Sequence, residues 1–131
     1  MTYRYQKPVT EFDFATMNLE VEAFCAQNAV PAKKLYAVQL IIEELVTNTI
    51  KYGNGAMIAI EIEKEAKAEG LKLVITDNST PFNPLEAKPP DTGLAAEERS
   101  VGGLGLFLVG KMVKALNYER QNGFNRLTVE I

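Results

Sequence analysis

Histidine is absent from this 131-residue chain, cysteine occurs once, and no apolar run approaches the roughly 20 residues that a membrane-spanning helix needs. Without histidine there can be no Ser–His–Asp triad, no Cys–His pair, no histidine-based zinc site and no phosphohistidine carried by the chain itself. The single Cys25 cannot form an internal disulfide. It shares the apolar face of a predicted helix with Met17, Val21 and Phe24, which reads as a core thiol. The opening MTYRYQKPVTEFDF holds no apolar signal region, so the expectation is a cytoplasmic protein without membrane contact. Lysines and arginines form no basic cluster and the net charge is −3, which argues against nucleic-acid or anionic-lipid partners. Any chemistry must run on carboxylates, amides, lysines and backbone.

The length suits one domain, residues 1–131, with one hydrophobic core. Thr2–Gln6 alternates tyrosines with polar residues and reads as a short edge strand ended by Pro8. Thr10 is placed to cap a first helix in which Phe14, Met17, Val21 and Phe24 recur at helical spacing. After the Asn28–Pro31 break, Pro31 opens a second helix that runs to about Tyr52, where Gly53-Asn54-Gly55 stops it. AMIAIEIE and LKLVITD alternate as two half-buried strands of a hairpin around Lys64–Gly70. Residues 78–101 hold four prolines and no periodicity, the pattern of a lid or a disordered insert. GGLGLFLVGKMVKAL then reads as a helix with Leu108, Val109, Met112, Val113 and Leu116 facing the core. A final hairpin, Tyr118–Gln121 and Arg126–Ile131, turns at Asn122-Gly123. The order does not alternate strictly between strand and helix. It predicts an α+β two-layer sandwich with about three helices on one face of a sheet.

Three stretches carry chemistry. Along the second helix, Leu35, Val38, Ile42, Leu45, Val46 and Thr49 account for the core face, while within EELVTNTIKYG Glu44, Asn48 and Lys51 stack on another face, flanked by the preceding Leu40 and Ile41. A carboxylate hemmed in by apolar residues costs stability unless something outside the chain partners it, although a solvated polar stripe is the commoner fate of such residues. Asn48 offers an oxygen suited to Mg²⁺, and Glu44 one turn away could orient or deprotonate a hydroxyl. In ITDNSTPFNP, Asp77 ends an apolar strand. Its carboxylate suits a ligand amino group, though the same residues also make an ordinary turn. Gly102-Gly103-Leu104-Gly105 sits at the start of a helix whose first N–H groups could receive an anion, or simply permits close packing. It matches neither a Walker A loop nor a dinucleotide fingerprint.

Together, EELVTNTIKYG resembles the N box, ITDNSTPFNP the first glycine box and VGGLGLFLVGKMV the second glycine box of the GHKL ATPases, the superfamily of gyrase, the heat-shock chaperone, histidine kinases and anti-sigma serine kinases. The closing YERQNGFNRLTVEI and the spacing are most similar to the stand-alone anti-sigma regulatory branch. The resemblance implies the Bergerat, or histidine-kinase-like, ATPase fold: a mixed, mostly antiparallel sheet with helices on one face. It implies Glu44 as general base, Asn48 as Mg²⁺ ligand, Asp77 as adenine reader, and Lys51 and Tyr52 near phosphate and nucleotide. Ser79 and Phe82 fall in the first glycine box, Gly103, Leu104, Gly105 and Leu106 form the phosphate-side turn, and Thr128 supports Asp77. Ser79 stands where the family has glycine. If that position needs a positive φ or close backbone approach to the base, serine should be strained or the pocket narrowed.

The implied function is an ATP- and Mg²⁺-dependent serine/threonine kinase acting on a STAS-type anti-anti-sigma protein, with a sigma factor as the other partner. A nucleotide-responsive or nucleotide-free binding module is the alternative. Relatives of this branch often dimerise, so a homodimer is also expected.

Overall fold

A computed structural model describes residues 1–52, 57–65, 69–81 and 113–131. Its strands are β1 (Thr2–Pro8), β2 (Met57–Glu63), β3 (Lys72–Asp77), β4 (Ala115–Gln121) and β5 (Phe124–Glu130), and its helices are α1 (Phe14–Gln27) and α2 (Ala32–Tyr52). The expected α+β class is the one observed. Among the described residues the five strands run in the order β1-β2-β3-β5-β4 and every pairing is antiparallel. Two helices lie among the described residues. The third expected helix falls mainly on 102–112, outside them.

Period-two alternation decides which sheet face is covered. Ile58, Ile60 and Ile62 of β2, Leu73 and Ile75 of β3, and Leu127 and Val129 of β5 are buried on one side, against Met17, Val21 and Phe24 of α1 and Val38, Ile41, Ile42, Leu45 and Val46 of α2. Ile41, expected at the margin of the polar stripe, is fully buried. The core face of α2 is therefore wider than the sequence pattern indicated. Arg4, Glu61, Thr76, Arg126 and Thr128 occupy the opposite face by the same alternation.

Asp13, not Thr10, caps α1. Its Oδ1 accepts from the Thr16 amide at 3.2 Å and its Oδ2 from the Thr16 hydroxyl at 2.8 Å, while Thr10 belongs to a 3-10 turn, Val9–Glu11. These bonds favour the charged carboxylate and hold its pKa below the ordinary value. Asp13→Ala is expected to lower Tm at neutral pH. Because the folded pKa is depressed, the cap's contribution is present above the ordinary carboxylate pKa and fades as pH falls through the folded value. Thermal melts of the two proteins should therefore converge in acid. Asp13 also donates its backbone N–H to the Tyr5 hydroxyl at 3.2 Å, and Phe12 packs edge-on against Tyr5 and Phe14, tying the helix start to the edge strand.

At the far end of the chain, Asn122 (φ 54°) and Gly123 (φ 82°) both take left-handed backbone. That is the two-residue hairpin turn for which Asn-Gly is favoured, and it fixes the register Gln121↔Phe124, Tyr118↔Leu127 and Ala115↔Glu130. The strand begins at Ala115, so Leu116, expected as the last core residue of a helix, is instead a partly buried strand residue.

Candidate functional site

Connectivity brings the end of α2 and the end of β3 to one rim of the sheet. Tyr52 closes α2 and Met57 opens β2, a separation of five residue steps that can span about 18 Å at most. Ile58 is the register partner of Asp77, and Met57 donates its amide to Asn78 Oδ1 at 3.0 Å. The last turns of α2 and the carboxylate end of β3 therefore lie at the same end of the fold. Asp77 follows the parity of Leu73 and Ile75, which puts it on the helix-covered side.

On α2, Asn48 is only 8 % exposed. Glu44, one turn earlier, is half-buried. Loss of water around it is the main cause that raises its pKa. The adjacent Glu43 carboxylate adds to that rise and Lys51 opposes it. Lys51 is exposed and belongs to the last turn of α2, where a cation faces the negative end of the helix. Tyr52 is the final residue of α2.

Asp77 is 8 % exposed and sits in a polar cluster that apolar patterning did not reveal. Its Oδ1 accepts from the Ser79 amide at 3.0 Å, from the Ser79 hydroxyl, and from Asn125 Nδ2 at 3.0 Å. Asn125 Nδ2 also reaches Ser79 Oγ at 3.3 Å and Thr80 O at 2.9 Å, and its Oδ1 accepts from the Tyr118 hydroxyl at 2.6 Å and Arg120 at 3.2 Å. Arg120 donates to Ser79 O as well, at 2.7 Å.

Two expectations are corrected by this geometry. Thr128, expected to support Asp77, pairs with Val74 and carries the opposite parity, so it faces away. The residue across the strand from Asp77 is Asn125. Ser79 does not have a positive φ, so it carries none of the expected left-handed strain. It is 5 % exposed and its hydroxyl is spent inside the cluster. Phe82, Gly103, Leu104, Gly105 and Leu106 lie outside the described residues, as does most of the expected lid. No helix among the described residues is long and apolar enough to cross a membrane.

A half-buried carboxylate, a largely buried amide residue and a pinned carboxylate at one rim can receive a polar ligand that brings both donors and acceptors. The family model for the histidine kinase-like ATPase domain matches residues 8–131. The serine/threonine-protein kinase BtrW of Bordetella bronchiseptica is 27 % identical over 100 residues, which are 75 % of this chain and 70 % of that protein. Among solved structures, the RsbU and RsbW domains of Rv1364c from Mycobacterium tuberculosis superpose with a TM-score of 0.66 at 12 % identity, over 99 % of this chain and 32 % of that one. The histidine kinase AdeS of Acinetobacter baumannii gives a TM-score of 0.51 at 16 % identity, over 97 % of this chain and 66 % of that one. The chain thus spans about a third of the first of these structures and about two thirds of the second. With the family model running over nearly its whole length, the chain belongs to the histidine kinase-like ATPase domain family.

Proposed function

We propose that this protein binds ATP and acts as a serine/threonine kinase of the anti-sigma regulatory kind, with a STAS-type anti-anti-sigma protein as phosphoacceptor and a sigma factor as its other partner. The observation that carries this reading is the placement of the largely buried Asn48, one turn from a desolvated Glu44, at the same rim as Asp77. The similarity to a protein named as a serine/threonine kinase supports it.

Asp77 accepts the exocyclic amino group of adenine through Oδ2, because the bonds it already makes are on Oδ1. Asn48 presents a neutral oxygen, the hard donor that suits Mg²⁺. Mg²⁺ keeps several waters and takes much of its shell from nucleotide phosphates, so it needs few protein oxygens. When bound, Mg²⁺ would neutralise charge on the phosphate oxygens. Glu44 takes the proton of the partner's serine hydroxyl as that oxygen bonds to the γ-phosphorus and the bridging oxygen leaves with ADP. Lys51 adds positive charge beside the phosphates. Ser79 carries no left-handed strain, one of the two grounds for a module unable to take nucleotide.

Titration calorimetry with ATP and ADP, with and without Mg²⁺, followed by transfer of labelled γ-phosphate to a cognate STAS protein, tests the reading. Binding with Mg²⁺-dependent transfer is expected. Binding without transfer would leave a nucleotide-responsive contact regulator, and no binding would remove ATP from the account.

A further inference from the structure

The Asp77 cluster has a direction built into it. Arg120 can only donate a hydrogen bond, whereas the Asp77 carboxylate and the Thr80 carbonyl can only accept one, so the Asn125 amide is held with Oδ1 toward β4 and Nδ2 toward Asp77. The Tyr118 hydroxyl, at 2.6 Å, adds a second donor on the Oδ1 side. Asn125 is 5 % exposed, and inverting its amide would set donor against donor and acceptor against acceptor in a buried place. The orientation passes on to Asp77. All three donors reaching that carboxylate converge on Oδ1, and Oδ2 accepts nothing from the described residues. The same side chains grip the backbone just past β3, Arg120 at Ser79 O and Asn125 at Thr80 O, so the carboxylate and the strand exit are held as one unit.

We propose that Asn125, oriented by Tyr118 and Arg120, is the positioning residue that locks Asp77 with one oxygen left for the base, so that base discrimination is set from β4 and β5 and not by Asp77 alone. This rests on the nucleotide reading above. A locked, acceptor-only oxygen favours a 6-amino purine, which brings a donor. It rejects a 6-oxo purine, whose carbonyl would face it unpaired. A carboxylate released to rotate could turn toward the N1–H of the oxo base and lose part of that selectivity.

The test compares adenosine and inosine triphosphate affinities by calorimetry on wild type, Tyr118→Phe and Asn125→Leu, with exchange of the Asn125 side-chain amide protons followed by NMR in nucleotide-free wild type and Tyr118→Phe. Tyr118→Phe removes one hydroxyl from a partly buried site, so its fold is retained. Its preference for adenosine over inosine triphosphate is expected to fall about tenfold, with faster amide exchange, the size expected for one lost buried hydrogen bond. Asn125→Leu should lose more. An unchanged preference in either variant, or equal weakening of both nucleotides, overturns the proposal while leaving nucleotide binding intact. Wild type that binds neither nucleotide overturns the underlying reading instead.

Discussion

Replacing Glu44 with Gln is expected to slow phosphoryl transfer about 10²–10⁴-fold, the usual contribution of a positioned general base, while leaving ATP affinity nearly unchanged. The amide keeps the shape of the carboxylate but cannot take a proton. The same substitution should not lower Tm at neutral pH, and should raise it. Burial raises the folded pKa of Glu44, so ionisation is disfavoured in the folded chain, and stability falls as pH rises from the ordinary carboxylate value through the raised one. Gln has no such charge. Its stabilising effect is therefore expected above that window and absent below it. A single-turnover assay paired with thermal melts checks both halves, and loss of transfer accompanied by loss of stability would point to a structural role. The acid limb of the transfer rate carries the same information. It should lie above the ordinary carboxylate pKa, move up when Lys51 is replaced by Met, and move down when Glu43 is replaced by Gln.

Asp77→Asn should weaken nucleotide binding by about 10- to 100-fold, more than its near-identical shape suggests. The Ser79 amide and Asn125 Nδ2 are donors, so the new amide must give its oxygen to them and turn its NH₂ to the position of Oδ2. Donor would then meet donor at the base. Calorimetry with ATP measures the loss, and circular dichroism verifies that the fold persists. Unaltered affinity in a folded variant would mean that Asp77 is an internal turn residue, the ordinary role of Asp-Asn-Ser-Thr after a strand.

Sequence patterning was informative wherever one periodicity acted alone. The alternation of Ile58, Ile60 and Ile62 and the Asn-Gly turn translated directly into β2 and the last hairpin. It was less informative where two patterns overlapped. Val113 and Leu116 continue a helical spacing, yet a short apolar run serves a strand equally well, and Ala115 begins β4. The Thr128 error is one of parity. Asn125, Leu127 and Val129 share a face, and counting back from that apolar pair would have placed Asn125, not Thr128, beside Asp77. The roles of Tyr118 and Arg120 depend on register across three strands, which no local pattern encodes.

The strand order also governs when the rim is assembled. β2–β3 and β4–β5 join neighbours in the chain, but β1–β2 matches Thr2 with Glu63 and β3–β5 matches Lys72 with Glu130. Closing such distant ladders carries a large entropic cost before any contact repays it, which places this chain among the slower folders of its size. During synthesis, Asp77 emerges long before Asn125. Its carboxylate therefore waits until the chain through Asn125 has left the ribosome before it gains the neighbour that holds it.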